Sequence, residues 1–185
     1  MDALQNRVVA GFLCLLIIVV SSGVGVASTL LPLRTQVTGL FHVGDRSGPG
    51  IAGDLNAIGA QAHNLTVIAG RYLAPDYPAT ARVLDARERL DFAMRGEFSP
   101  REARRAKDEL VGAAQALHST LSGLELSDQD QNLMASVMAE ISSRSGLIGQ
   151  SSYNQAALSF NQSLTRFPAN ILGPATGVRP LELFE

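Results

Sequence analysis

The sequence predicts an all-α protein, in which an N-terminal transmembrane helix is followed by an elongated antiparallel bundle of about four helices. Two observations predict this fold. An uncharged, mostly apolar stretch runs from Val8 to Leu33, and beyond it apolar residues recur at steps of three and four, which is the spacing of one helix face. A chain of 185 residues is long enough for one such bundle with a membrane segment.

The N-terminal stretch is predicted to be a membrane anchor at 8–33, preceded by a short flank at 1–7. About 20 apolar residues cross a bilayer core as a helix, at roughly 1.5 Å per residue. A cleaved signal peptide is the alternative, because Arg7 precedes the apolar stretch and Gly25 to Ala27 offers a cleavage site. The apolar stretch continues beyond that site to Leu33, which favours an uncleaved anchor.

Residues 34–52 are predicted to form a connector, because the glycines and proline of GDRSGPG at 44–50 cannot sustain a helix. Residues 53–185 then form the bundle and a C-terminal tail. Helix starts are predicted at Ser99, which precedes Pro100 and lies three residues before Glu102, and at Ser127.

Four successive segments of the predicted bundle carry an apolar stripe. The inward positions are Leu55, Ile58, Ala62, Leu65, Ile68 and Tyr72; Val83, Ala86, Leu90 and Ala93; Ala103, Ala106, Leu110, Ala114, Leu117 and Leu121; and Met134, Val137, Ile141 and Ile148. The fourth helix meets no proline before Pro168 and is expected to reach about 40 residues, or roughly 60 Å. Gly146 and Gly149 mark a place where it could bend.

The end of this helix, SSYNQAALSFNQSLTRFP at 151–168, repeats an aromatic-Asn pair after seven residues. Its inward seam is predicted to contain Tyr153, Ala157, Phe160, Leu164 and Phe167. Asn154 and Asn161 lie at the edge of the seam, where an amide can bond to a backbone carbonyl or to the tail. Core packing is the favoured interpretation, and a ligand groove lined by the aromatic residues is the alternative.

These residues resemble the C-terminal signature of the LemA family, in which a Tyr-Asn pair, a second aromatic-Asn pair and a Phe-Pro pair follow on the last long helix. NLTVIAGRY at 64–72 and VLDARERL from Val83 are similar to further family segments. The residues that match the signature are expected to be structural: Asn64, Leu65, Tyr72, Tyr153, Asn154, Phe160, Asn161, Phe167 and Pro168.

The sequence also departs from the family pattern. AIGAQAH replaces the paired arginines and the Asp-Leu-Ile-Pro that normally precede Asn64, and Gln150 stands where an arginine is expected. The resemblance therefore implies a divergent member, with one N-terminal membrane helix, a helical bundle, and neither an established enzymatic activity nor a cofactor.

Composition and motifs give no catalytic or metal site. Acidic and basic groups nearly cancel, giving a net charge of −2, so nucleic acid is not an expected partner. None of the three histidines, His42, His63 and His118, belongs to the Glu-x-x-His motif of a di-metal bundle. The single cysteine, Cys14, lies in the apolar stretch, where it allows no intrachain disulfide. No catalytic residue, cofactor or metal ion is predicted.

The sequence therefore favours a non-enzymatic, single-pass protein of the cell membrane that acts as a scaffold or protein-interaction module. Its expected partners are the membrane, through residues 8–33, and an unidentified protein, with self-association also considered. The alternative hypothesis is a secreted or surface helical domain, released from a cleaved signal peptide, that binds a small amphiphilic ligand.

Overall fold

The structure is a computed structural model that describes residues 2–45, 48–96, 98–173 and 176–184, with side chains from residue 9 onward. Helices make up 78% of it and strands almost none, so the predicted all-α class, with a long apolar helix at the N-terminus, is confirmed. The chain forms two compact units. Unit 1 consists of Met1–Thr38 and Gln155–Leu181, and unit 2 consists of Gly39–Asn154 and Glu182–Glu185.

Helix α1 (Asp2–His42) includes Pro32 and continues well beyond the apolar stretch. Residues 34–42, which the sequence analysis assigned to the connector, are therefore helical. The reason lies in RTQVTGLFH itself, which contains no proline and places Val37 and Phe41 four residues apart. Both side chains are buried, at 4% and 3% exposure, so this last part of α1 has an apolar face covered by protein.

A tight antiparallel hairpin follows α1, formed by strands β1 (Gly44–Asp45) and β2 (Gly48–Pro49). Gly44 has a φ of +82°, and a Cβ there would come within 2.3 Å of the carbonyl oxygen of Gly48. Only glycine fits this position. The predicted bent connector is thus reduced to a two-strand turn that leads directly into the next helix.

Four helices of unit 2 form the bundle: α2 (Ile51–Ala69), α3 (Pro78–Arg95), α4 (Pro100–Ser122) and α5 (Asp128–Gly149). Helix α2 packs against the other three, and α3 packs along α4. Side-chain contacts show that α2 and α5 are antiparallel, because Asp54 near the start of α2 pairs with Arg144 late in α5. At the opposite end, Arg71 just after α2 pairs with Asp130 at the start of α5.

Nearly all of the predicted inward positions of α2 to α5 are buried. Leu55, Ile58, Ala62 and Leu65 are all 0% exposed, as are Leu110 and Leu117 of α4. Ala93 is only half-buried, and Tyr72 follows the end of α2 rather than lying on its stripe. The spacing of apolar residues therefore identified the buried faces, while the precise ends of the helices depend on the connecting segments.

The two predicted helix starts are also confirmed. Ser99 Oγ accepts a hydrogen bond from the backbone N–H of Glu102 at the start of α4. Ser127 Oγ accepts one from the backbone N–H of Asp130 at the start of α5. Each serine satisfies one of the backbone donors that a helix leaves unpaired in its first turn.

The predicted long fourth helix is wrong, because it is divided into α5 and α6 (Ser152–Leu164), and a short helix α7 (Ala169–Leu172) follows. The division falls at Gln150 and Ser151, directly after Gly149, whose helix propensity is low. The predicted helix end at Pro168 is also wrong, because α6 already ends at Leu164. Phe167 lies beyond α6 and is 81% exposed, so its predicted place in the buried seam is also wrong.

Candidate interaction site

An aromatic cluster in unit 2 consists of Phe41, His42, Phe98, Tyr153 and Phe184. The ring of Phe41 is at its centre, with centroid distances of 5.1 Å to Phe98, 5.4 Å to Tyr153 and 5.9 Å to Phe184. The first two pairs meet edge to face, which is the arrangement that aromatic quadrupoles favour. The last turn of α1, the α3–α4 connection, the first turn of α6 and the chain's final residues therefore meet in one cluster.

The final residues Glu182 to Phe184, called here the terminal segment, are held through their backbone. Tyr153 Oη donates a hydrogen bond of 2.7 Å to the carbonyl oxygen of Glu182. The backbone N–H of Phe184 donates one of 2.8 Å to Asn154 Oδ1. The ring of Phe184 is 5% exposed and has Lys107 Nζ 5.9 Å from its centroid, within the range of a cation–π contact.

The carboxylate of Glu182 lies at the N-terminus of α4. Ser99 Oγ donates a hydrogen bond of 2.9 Å to Glu182 Oε2, and the backbone N–H of Arg101 lies 3.5 Å from the same oxygen. The positive end of the helix dipole favours a negative charge at this position. The Glu182 side chain is exposed to solvent, so this contact contributes to orientation more than to stability.

In unit 1, the side chain of Asn161 binds both backbone groups of Leu181. Its Nδ2 donates to the carbonyl oxygen at 2.9 Å, and its Oδ1 accepts from the N–H at 2.8 Å. With Asn154 bound to Phe184, this confirms that the two amides bind the backbone of the tail. The two asparagines are seven residues apart in α6, and the residues whose backbone they bind are three residues apart in the tail.

Asp130 forms a polar cluster between the end of α2 and the start of α5. This side chain is 4% exposed and accepts hydrogen bonds from Tyr72 Oη at 2.6 Å and Ser127 Oγ at 3.1 Å, besides its ion pair with Arg71. The hydrogen bond from Tyr72 is the main cause that lowers the pKa of Asp130; Ser127 and Arg71 lower it further, against the opposing effect of burial. The cluster fixes the turn after α2 to the cap of α5.

A second polar cluster joins the opposite ends of these two helices. Arg144 NH1 lies 3.1 Å from Asp54 Oδ1, and Arg144 Nε donates to Glu140 Oε1 at 2.7 Å. Asp54 is 3% exposed, so its charge requires this partner. The hydrogen bonds to Glu140 and Asp54 raise the pKa of Arg144, which keeps the guanidinium charged.

The residues of the family signature do not form one site. Leu65 and Phe160 are buried core residues, at 0% and 1% exposure, and Asn64 is an exposed residue that donates to Gln61 Oε1. Tyr72 belongs to the Asp130 cluster, and Tyr153 and Asn154 hold the terminal segment. Pro168, which follows a cis peptide bond, precedes α7.

Sequence reasoning missed several residues of these clusters. Phe98 and Glu182 were not singled out, and the partner of Glu182, Ser99, lies 83 residues away in sequence. Such a distant contact leaves no local pattern. Phe41 could have been found from its spacing of four residues from Val37, which continues a helical stripe into the predicted connector.

In the part of the chain that the structure describes, neither a metal-binding site nor a site for nucleophilic catalysis is assembled. No three His, Cys, Asp or Glu side chains there lie close enough to hold a metal ion. Cys14 is exposed on α1, His42 belongs to the aromatic cluster, and His63 Nδ1 lies 3.5 Å from Thr66 Oγ1.

Comparison with known proteins gives no relative: no protein-family model, no curated protein and no solved structure matches this chain. Among the described residues, one helical stretch, Val9–His42 of α1, is long and apolar enough to cross a membrane, and its most apolar window has a mean hydropathy of 2.5. A signal sequence near an N-terminus also meets these criteria of length and apolar character, so the finding fits either role.

Proposed function

We propose that this chain is a membrane-anchored helical module that binds proteins at the membrane surface. The observation that carries the proposal is the surface of α1. Phe12, Ile17 and Ile18 are 60 to 67% exposed, and the most apolar window of the helix is unburied. A continuous apolar surface of this length is unstable in water and is matched by lipid.

The contacts of the terminal segment support the protein-binding part of the proposal. Tyr153 and Asn154 bind its backbone, while the ring of Phe184 is buried against Phe41. Hydrogen bonds to a peptide backbone and a buried aromatic anchor are both contacts by which proteins bind peptides. Unit 2 thus already holds one short peptide, which is part of its own chain.

The LemA resemblance agrees with this proposal, since it implies a single-pass anchor and a bundle without established enzymatic activity. Because the sequence departs from the family pattern, this agreement extends only to the architecture. The proposal therefore rests on the exposed apolar surface of α1 and the bound terminal segment.

The alternative, an exported domain that binds an amphiphile between its helices, needs an open groove lined by the aromatic seam. Tyr153 and Phe160 are 0% and 1% exposed, and Phe167 is not part of the seam. The ring of Phe160 fills space in the protein, and Tyr153 is covered together with the terminal segment that it binds, so neither ring lines an open groove. The alternative therefore receives less support than the anchored module.

The proposal is tested by recovering the full chain from carbonate-washed membranes and from the soluble exported fraction, and measuring its intact mass in each. We expect a membrane-bound species that retains residues 1–27. A soluble species that begins near Ser28 would contradict the anchor and identify the N-terminal stretch as a signal peptide.

A further inference from the structure

The terminal segment Glu182–Phe184 occupies a groove lined by Phe41, Phe98, Ser99, Lys107 and Asn154. We propose that this groove also accepts the terminal segment of a second copy of the chain, so that copies anchored in one membrane associate by exchanging it. This inference rests on the proposed function and names its partner: a second copy of the same chain, bound through an acid-x-aromatic peptide in extended conformation.

The groove binds Glu182 and Phe184 through three hydrogen-bonding groups and an aromatic contact. Ser99 Oγ binds the carboxylate of Glu182 at 2.9 Å, and Tyr153 Oη binds its carbonyl oxygen at 2.7 Å. Asn154 Oδ1 accepts the N–H of Phe184 at 2.8 Å. The buried ring of Phe184 completes the set. The groove thus binds a carboxylate, two backbone groups and an aromatic ring, which occur in a fixed order along the peptide.

The charges at the groove suit this peptide. The N-terminus of α4 faces the carboxylate of Glu182, with the N–H of Arg101 3.5 Å away, and the ammonium of Lys107 lies near the ring of Phe184. A helix N-terminus favours an anion, and an ammonium favours the face of an aromatic ring. A peptide without the acidic residue or without the aromatic residue would lose one of these contacts.

The terminal segment belongs to a different compact unit from the residues that precede it. Residues up to Leu181 belong to unit 1, whereas Glu182 onward belong to unit 2. Its contacts with the groove are the same whether it comes from the same chain or from another copy. Exchange preserves these contacts and changes the path of the residues before them, including Leu181, which Asn161 binds by two hydrogen bonds. The preceding stretch contains Gly177, whose φ is +74°, and Pro180, and it is not helical.

A second copy is the occupant that the contacts favour over an unrelated protein. The sequence known to fit the groove is Glu-Leu-Phe of this chain, and every copy carries both the groove and the segment. Mutual exchange uses the same surface on both copies and closes a two-fold dimer. Anchoring in one membrane raises the local concentration of copies, which increases the exchanged fraction relative to dilute solution.

The test uses p-azidophenylalanine at position 184 of the full chain, because this photoprobe is close to phenylalanine in shape. Copies labelled with ¹⁴N and ¹⁵N are mixed in detergent, reconstituted into phosphatidylcholine and phosphatidylglycerol vesicles, irradiated and digested. Mass spectrometry of cross-linked peptides then distinguishes contacts within one copy from contacts between copies. The same probe at Phe92, which is 78% exposed, measures accidental collisions.

We expect mixed-isotope cross-links from position 184 to peptides that contain Phe41, Phe98 or Lys107, above the level given by the probe at Phe92. A partner copy that lacks residues 182–185, and whose melting curve shows a folded bundle, should increase these cross-links severalfold. Asn154→Ala in that partner should reduce them about two- to tenfold, the loss expected for one hydrogen bond.

Cross-links confined to one isotope would overturn the exchange, as would mixed cross-links no more frequent than those of the probe at Phe92. When the same probe is irradiated in native membranes, cross-links from position 184 to a different protein and none between copies would also overturn it, and would show that the groove serves another partner. None of these results bears on the anchor, which the intact mass tests separately.

Discussion

Helices α1 and α2 are similarly apolar, yet their side chains have opposite surroundings. Along α1, residues from Val9 to Val20 are largely exposed, with Phe12 at 67%, whereas Leu55 and Leu65 of α2 are 0% exposed. The difference lies in the arrangement of the apolar residues. From Val9 to Val20, helix α1 is apolar around its whole circumference, while α2 places exposed polar residues such as His63 and Asn64 opposite its apolar stripe.

The surroundings of a helix are therefore predicted better by the spacing of its apolar residues than by their total number. A stripe is covered by neighbouring helices, as α3, α4 and α5 cover α2. One neighbouring helix cannot cover a helix that is apolar on every side. Lipid, which surrounds a membrane helix completely, is therefore its expected environment.

The largest effect is expected from shortening a side chain on the buried stripe of α2. Leu65→Ala should lower the free energy of unfolding by about 2–5 kcal/mol, because it removes buried apolar atoms and leaves a cavity. Thermal unfolding of the detergent-solubilised full chain, followed by circular dichroism, measures the change. Leu16→Ala in α1 is the matched control, since Leu16 is 48% exposed. Equal melting temperatures for the two variants would contradict the comparison.

A charge placed on α1 should act on membrane insertion and leave the bundle intact. Ile17→Arg, near the middle of the apolar stretch, should cost about 2.5–3.5 kcal/mol on insertion. The membrane-bound fraction after a carbonate wash measures this cost. The control is Val67→Arg on α2. Because Val67 is 50% exposed, this variant adds the same charge without the cost of membrane insertion. If Ile17→Arg left the bound fraction unchanged, lipid would not be the surroundings of α1.

A smaller effect is expected from the polar contacts that bind the tail. Asn161→Ala removes two hydrogen bonds to Leu181, which should cost about 1–3 kcal/mol of stability at 0.5–1.5 kcal/mol each. Asn154→Ala removes one such bond, to Phe184, and should cost about half as much. Hydrogen exchange at the amides of Leu181 and Phe184 measures the loss at each position. Unchanged exchange in either variant would show that its amide does not hold the backbone.

The smallest effect is a pH dependence confined to the acid range. The pKa of Asp130 is lowered below its usual 3.8, mainly by the hydrogen bond from Tyr72. Its ionised form therefore stabilises the folded state fully above about pH 4, and this contribution is lost as pH falls through the lowered pKa. The difference in melting temperature between the wild type and Asp130→Asn should be constant near neutral pH and shrink below about pH 4. A difference independent of pH would contradict this role.

Much of the fold could be predicted from local patterns. Steps of three and four identified the buried faces of α2 to α5, and Ser99 and Ser127 marked two helix starts, because caps and stripes involve residues close in sequence. A bend was expected at Gly146 and Gly149, where α5 does end, but the complete break before α6 was not predicted, since glycine is tolerated in many helices and only the surrounding packing decides whether the helix continues there. The exposure of Phe167 follows from the earlier end of α6.

The clusters of the candidate site depend on contacts between distant residues, which no local pattern records. Ser127, three residues before Asp130, was predicted to start a helix, but the partners of Asp130, Arg71 and Tyr72, follow the end of another helix. The contacts of the aromatic-Asn repeat could be predicted in part. Its amides were predicted to bind the tail, while the identities of Leu181 and Phe184 as their partners came from the structure.

The two polar clusters between α2 and α5 also select the topology of the bundle. Helix α2 has the acidic Asp54 near its start and the basic Arg71 just after its end, and α5 has the acidic Asp130 and the basic Arg144 in the same order. Antiparallel packing joins opposite charges at both ends. If the two helices ran in the same direction, two carboxylates would meet at one end and two guanidinium groups at the other, so the misfolded arrangement would be penalised twice.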